Sequence, residues 1–189
     1  MTKKDFISEI LRSPQTVLTA KEIALILDMR EKNALKSKIN YYVKKGVIKA
    51  VRRGIYVKPN YDIFELATKI YTPSYISLET VLEKEGVIFQ HYETVFVISY
   101  LSRKIIVDGK EIQIRKIKNE ILLNQLGIQK KDGYSIATKE RAFLDALYLY
   151  GDYYFDNLKI LNKDQIFEII KIYRQKSLIK KVKKYFENA

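Results

Sequence analysis

The chain is 189 residues long, 47% hydrophobic, and carries a formal net charge of +13, so it can bury a real core as one large or two small domains, and disorder is not its default state. It has no cysteine, which excludes disulfides, thiolate metal sites and cysteine nucleophiles, and its one histidine, His91, cannot supply a multi-histidine metal site. The charge points to an acidic partner such as nucleic acid, and it is unevenly spread: residues 1–58 hold 14 Lys/Arg against 5 Asp/Glu, a net of +9, while the other 131 residues hold 21 against 17, a net of +4.

In chain order, Asp5 to Arg12 sets Phe6, Ile7, Ile10 and Leu11 at helical spacing, and Ser13-Pro14-Gln15 breaks the helix this predicts. The opening stretch MTKKDFISEILRS has lysines but no apolar signal region, and no run approaches the roughly 18 apolar residues of a membrane span. A cytoplasmic protein with no membrane partner is expected. Thr19 and Glu22 form a capping box ahead of the apolar run Ile23 to Leu27, a short helix. After the turn Asp28-Met29-Arg30-Glu31, the residues Leu35, Ile39, Tyr42 and Val43 keep to one face of a second helix. Gly46 suits the left-handed position that ends it, and Val47 to Val51, the turn Arg52-Arg53-Gly54 and Ile55-Tyr56-Val57 make a basic hairpin. Helix, helix and hairpin in this order read as a winged helix-turn-helix.

With Leu35, Ile39, Tyr42 and Val43 toward the core, a helical wheel places Arg30, Asn33, Ser37, Asn40, Tyr41 and Lys44 opposite, with Lys36 on the flank and Arg52 and Arg53 at the hairpin tip. These nine are the candidate DNA-binding residues. Asn pairs bidentately with an adenine edge, and Lys, Arg, Ser and Tyr contact phosphates or bases. A merely solvated face carries the same residue types, so the module is a stronger signal than any one of them.

Lys58-Pro59-Asn60 marks a boundary between a domain at 1–59 and another at 60–189. Tyr61 to Tyr71 predicts a helix that Thr72-Pro73-Ser74 stops; Tyr75 to Leu82 predicts a further short helix capped by Ser77 and ended at Gly86. Thr94 to Leu101, Lys104 to Val107 and Glu111 to Ile117 read as strands, the last two joined at Asp108-Gly109, forming a small antiparallel sheet with Gln113, Arg115 and Lys118 on a wet face. Glu120 to Leu126 suggests a helical turn, Lys130 to Gly133 a polar loop and Ser135 to Ala137 an extended piece. Thr138 then caps a largely apolar, central helix through Tyr150, Asn162 and Gln165 resemble a second capping box, and Ser177 to Phe186 is an amphipathic helix rich in lysine. The fold expected is α+β: an N-terminal winged helix-turn-helix, then a mixed domain with a small antiparallel sheet and C-terminal helices.

Three segments in order, R-R-G-I-Y-V (Arg52 to Val57), P-S-Y-I-S-L-E-T-V-L (Pro73 to Leu82) and A-T-K-E-R-A-F-L-D-A-L-Y-L (Ala137 to Leu149), resemble the AbiEi antitoxins of type IV toxin-antitoxin systems over roughly residues 5–150. The resemblance implies two roles: repression of the operon's own promoter through double-stranded DNA, and antagonism of a nucleotidyltransferase toxin of the AbiEii type. Members often carry His-Gly after the Y-I-S-L helix where this chain has Glu85-Gly86, so no role of that histidine transfers. Thr138, Arg141 and Asp145 are open to two readings, part of an antitoxin surface or capping and local ion pairing.

No cofactor and no enzymatic activity are expected. Asp108, Glu111, Gln113 and Lys116 resemble a metal-dependent nuclease cluster only faintly, because Gln113 stands where such enzymes place lysine, and no glycine-rich phosphate loop is present. The alternative to an antitoxin is a stand-alone winged-helix regulator whose second domain senses a ligand or dimerises.

Overall fold

A computed structural model describes residues 5–187; the ends of the two expected domains, 1–59 and 60–189, lie just outside that range. The fold is α+β. The N-terminal unit runs α1 (Phe6–Arg12), β1 (Val17–Thr19), α2 (Ala20–Ile26), α3 (Lys32–Lys44), β2 (Lys49–Arg52) and β3 (Ile55–Val57). Asp5 caps α1 by accepting from the Ser8 N–H at 3.1 Å. The capping box of α2 is fully formed, with the Glu22 N–H donating to Thr19 Oγ1 at 3.2 Å and the Thr19 N–H to Glu22 Oε2 at 2.6 Å. Such a cap contributes about 1 kcal/mol. Burial alone would raise the Glu22 pKa, but the Thr19 hydrogen bonds and Lys69 outweigh it and hold the carboxyl below its ordinary value.

Phe6, Ile10, Leu18, Ile23, Leu27, Ile39 and Ile48 form the core of this unit, with Phe6 stacked on Tyr42 at 3.9 Å. The strand β1 has no counterpart in the sequence reading. It is three residues long, too short for an alternating pattern, and pairs antiparallel with β3 to give a sheet in the order β1-β3-β2.

The C-terminal unit contains α4 (Ile63–Ile70), β4 (Ser74–Ile76), α5 (Glu79–Lys84), β5 (Val95–Ser99), β6 (Arg103–Val107), β7 (Lys110–Lys116), α6 (Asn119–Leu122), β8 (Ile128–Lys131), β9 (Tyr134–Ala137), α7 (Lys139–Tyr150), α8 (Lys163–Ile169), a 3-10 turn (Ile170–Tyr173) and α9 (Lys176–Glu187). The antiparallel hairpin β6-β7 is present as read, with Asp108 and Gly109 in its turn at positive φ. It forms one edge of a six-stranded sheet in the order β6-β7-β5-β4-β9-β8, in which β5-β7 and β4-β9 pair in parallel. The polar loop expected at residues 130–133 is the tip of the hairpin β8-β9. Of the residues expected on a wet face, Lys118 is exposed but Gln113 and Arg115 are only half exposed, and Arg115 lies over the Tyr150 ring at 4.8 Å, so that face is partly covered. Asn162 caps α8 through the Gln165 N–H at 3.1 Å, but its own N–H turns to Glu140 at 3.2 Å, which leaves half of the expected box.

The segment after Pro73 departs from its reading. Residues 74–76 are extended, α5 begins only at Glu79, and its N-cap is Leu78 at φ 57, with no side-chain cap bond. Ser77 is therefore no cap. Its hydroxyl is fully buried and donates to Asp145, a partner 68 residues away that helical spacing cannot announce.

Glu79 is buried beneath Tyr150, whose hydroxyl donates to it at 3.1 Å. Burial pushes its pKa above the ordinary 4.5, outweighing its own backbone N–H, Tyr150 and Arg115, which act the other way. Folding thus raises this pKa: stability is fully retained below the unfolded value and is lost as pH rises through the folded one. Glu79→Gln removes that loss. The difference in Tm between variant and parent should shift toward the variant on going from about pH 4 to about pH 7; a difference that stays constant with pH refutes the assignment.

The junction at Lys58-Pro59-Asn60 is clamped on both sides. The Lys58 N–H and the Asp62 N–H both donate to Thr16, to its carbonyl and hydroxyl respectively, each at 2.9 Å. Lys58 Nζ donates to the Ser13 carbonyl at 2.6 Å near the end of α1. Buried Glu65 accepts from the Thr16 N–H and hydroxyl at 2.8 and 2.6 Å, and Lys69 joins Glu65 to Glu22 and to the Val17 carbonyl. Val17, Ile55 and Val57 share a core with Leu66 and Val107. The boundary between the units is therefore an apolar seam with a polar clasp, and separating them would expose both.

Candidate nucleic-acid interface

The apolar positions chosen for α3 are the ones that pack. Ile39 is buried and Leu35, Tyr42 and Val43 lie against the same core. This leaves the opposite face in solvent, and all nine predicted DNA-binding residues are exposed. Asn33, Ser37, Asn40, Tyr41 and Lys44 form one stripe with Lys36 beside it, on a helix of 13 residues, about 20 Å long. Arg30 is not on the helix. It stands in the turn just before Glu31, which N-caps α3 by accepting from the Asn33 N–H at 2.7 Å and from the Ala34 N–H. Asp28, at φ 51, makes the bend that separates α2 from α3. Lys32 and Lys45, at the two ends of α3, are exposed as well and add to the basic character of this side of the molecule.

The hairpin arginines differ. Arg52 is exposed, yet its guanidinium donates to the Tyr71 hydroxyl at 3.1 Å and lies over that ring at 5.2 Å. Arg103 donates to the same hydroxyl at 3.1 Å. These two hydrogen bonds hold the Tyr71 pKa below its ordinary value. Arg52 is thus held against the C-terminal unit, whereas Arg53 has no such contact among the described residues. Lys49 on β2 is likewise engaged, paired with Asp108, which also accepts from the Tyr61 hydroxyl at 2.8 Å.

The two C-terminal segments singled out by resemblance meet inside the molecule. Arg141, Asp145 and Ser77 are fully buried, and Tyr75 and Tyr173 nearly so. Arg141 Nη2 donates to the Tyr75 hydroxyl at 3.1 Å and the Ile121 carbonyl at 2.8 Å, Nη1 to the Leu126 carbonyl at 2.7 Å, and Nε reaches Asp145 at 3.4 Å. Asp145 in turn accepts from Tyr75, Ser77 and Tyr173 at 3.0, 2.8 and 2.6 Å. Burial, reinforced by the Asp145 charge, pushes both tyrosine pKa values well up, so their hydroxyls remain donors. Thr138 caps α7 through the Arg141 N–H at 3.3 Å. Of the two readings left open for Thr138, Arg141 and Asp145, capping and ion pairing is the one observed; Arg141 and Asp145 have no surface to offer a partner. They act as a strut joining α7, β4, the α6 turn and the 3-10 turn.

The nuclease-like cluster is not assembled as a site. Asp108 faces Lys49 and Tyr61, while Glu111 accepts from Thr94 and pairs with Lys104 at 2.8 Å each. His91 is exposed, with Nδ1 against Glu83 at 2.5 Å. Among the described residues no helix is long and apolar enough to cross a membrane. The chain matches no protein-family model and no curated protein sequence.

Proposed function

We propose that this chain is a cytoplasmic antitoxin of the AbiEi kind, a winged-helix autorepressor that binds its own promoter as double-stranded DNA and also counteracts a nucleotidyltransferase toxin of the AbiEii type. The observation that carries the DNA-binding half is the exposed stripe of Asn33, Ser37, Asn40, Tyr41 and Lys44 on α3, backed by an apolar face that packs on the core through buried Ile39 and partly buried Leu35, Tyr42 and Val43. Such a helix enters the major groove, where asparagine reads adenine and lysine neutralises phosphate. In this reading exposed Arg53 neutralises a flanking phosphate, and the basic excess of residues 1–58 adds long-range attraction.

The antitoxin half rests on the resemblance of the three segments. Because Arg141 and Asp145 are interior, the neutralising surface lies elsewhere on residues 60–189. The shared core across the junction favours full-length tests, since a fragment starting at residue 60 would bare Leu66 and Val107. Expression of the full chain with the nucleotidyltransferase encoded beside it should restore growth and repress a reporter under the operon's promoter. Operator affinity should fall steeply between about 50 and 200 mM salt as counterions are released. Repression without rescue would point to a stand-alone regulator, and salt-insensitive binding would refute the electrostatic account.

A further inference from the structure

A second basic surface, remote in sequence from α3, has a different character. The loop from Asp152 to Leu158 and one side of α9 enclose a cleft of about 860 Å³. Ser177, Lys180, Lys181 and Lys184 line it from α9, at spacings of three, one and three, which put them in one stripe along the helix. The opposite side of α9 is spent on packing through Leu178 and Val182. Lys181 pairs with Asp152 at 3.0 Å, while Lys180 and Lys184 have no acidic partner among the described residues.

The facing wall is aromatic. Phe155 is buried against Phe143 at 4.7 Å, and Tyr153 is stacked on Tyr150 at 5.6 Å. Tyr185 ties the loop to α9, its hydroxyl donating to the Tyr153 carbonyl at 2.6 Å and accepting from the Tyr153 N–H at 3.2 Å. The cleft is therefore held in shape before anything binds. Tyr154 alone among these rings has no packing role, being 80% exposed. It also borders a smaller cleft of about 340 Å³ whose far side carries Phe89, itself 70% exposed. A bare Tyr154 ring between the cleft that carries the unpaired Lys180 and Lys184 and the one that carries Phe89 suits a ligand with flat π-faces and negative charge.

We propose that this cleft binds nucleotides as a single strand or a mononucleotide, with a base stacked on Tyr154 and phosphates on Lys180 and Lys184. Stacking platforms flanked by lysine are how proteins hold unpaired nucleic acid without reading its sequence. An acidic protein segment would satisfy the lysines but leave Tyr154 and Phe89 without a stacking partner. The proposal is independent of whether α3 binds duplex DNA.

The test is fluorescence anisotropy of a labelled single-stranded oligonucleotide of about ten nucleotides with the full-length protein. Tyr154→Ala should weaken binding about fivefold or more, and Lys180→Glu with Lys184→Glu should abolish it. Asp152→Asn, which frees Lys181, should tighten it. Lys36→Ala with Lys44→Ala on α3 should leave it unchanged, and Tyr154→Ala should leave duplex operator binding unchanged. Competition by ATP at the Tyr154-dependent site would identify a mononucleotide as the occupant, and failure of ATP to compete would assign an extended strand. Unaltered binding by Tyr154→Ala, or displacement of the oligonucleotide by poly-glutamate of equal charge, would overturn the proposal. All of these substitutions are at exposed or half-exposed positions, and a thermal melt of each variant separates lost binding from lost fold.

Discussion

Arg141→Ala should lower the stability of the protein by about 3–5 kcal/mol, enough to consume much of the margin of an ordinary domain. The guanidinium is fully enclosed and its nitrogens serve four partners on α6, the turn after it, β4 and α7. Truncation takes the Arg141 donor from the Leu126 carbonyl and one of two donors from the Ile121 carbonyl, which keeps the Asn124 N–H, and it leaves the fully buried Asp145 without its cation. The cost comes from the orphaned groups more than from the lost pair. Removing both charges is consequently the informative control: Arg141→Met with Asp145→Leu should be less damaging than Arg141→Ala alone, because an apolar pair leaves no buried charge behind. The residual cost will come from the Tyr75, Ser77 and Tyr173 hydroxyls, which then lose their acceptor. Urea unfolding followed by near-ultraviolet circular dichroism measures both. A loss below about 1 kcal/mol for Arg141→Ala would mean that water or a rearranged side chain replaces the strut.

Replacing Lys36, Asn40 and Lys44 together with alanine should weaken operator binding about a hundredfold or more without changing stability. On the proposed DNA-binding reading, two phosphate contacts would be lost, each reducing the salt slope by about 0.9, along with one bidentate base contact typically worth about 1–3 kcal/mol of discrimination. All three side chains are exposed and, among the described residues, make no contact that holds the N-terminal core, so the melting curve should stay within the small range of surface substitutions. The two hairpin arginines provide a contrast. Arg53→Ala should reduce affinity and salt slope only, whereas Arg52→Ala also removes a hydrogen bond and a cation-π contact across the junction to Tyr71. Electrophoretic mobility shifts at several salt concentrations, with the operator and an unrelated duplex, check these outcomes. Equal affinity of the triple variant for the operator would remove α3 as the reading element.

The division of labour between sequence and tertiary structure follows the range of the forces involved. The first three helices and the basic hairpin were legible because short-range rules govern them: the Thr19 and Glu22 cap closes over three residues, Gly46 takes the left-handed turn at φ 73, and Leu35, Ile39, Tyr42 and Val43 recur at helical spacing. Which face of α3 meets solvent was legible for the same reason, since an apolar stripe must be buried. Long-range pairing was not. The three-residue strands β1 and β4 carry no period of their own and exist because β3, β5 and β9 accept them. Ser77 looked like a helix cap because the sequence shows its neighbours and not Asp145. Arg141 and Asp145, charged residues at i,i+4, stayed open between a partner surface and a local ion pair because only assembled neighbours can make a buried ion pair tolerable.

By itself the sequence determined an α+β protein with its positive charge concentrated in the first third, a polar helix face there, and no cysteine chemistry or multi-histidine site. The tertiary structure alone decided that Lys58, Asp62 and Glu65 clamp the joint around Pro59 onto Thr16 and Ser13, that Arg52 belongs to the seam between units, and that the two most distinctive C-terminal segments form an internal strut. It also set the lysine row of α9 against Tyr154. Local hydrogen bonds and apolar periodicity are written in neighbouring residues, whereas seams, struts and clefts are made by residues from separate elements that come together only when the sheet is assembled.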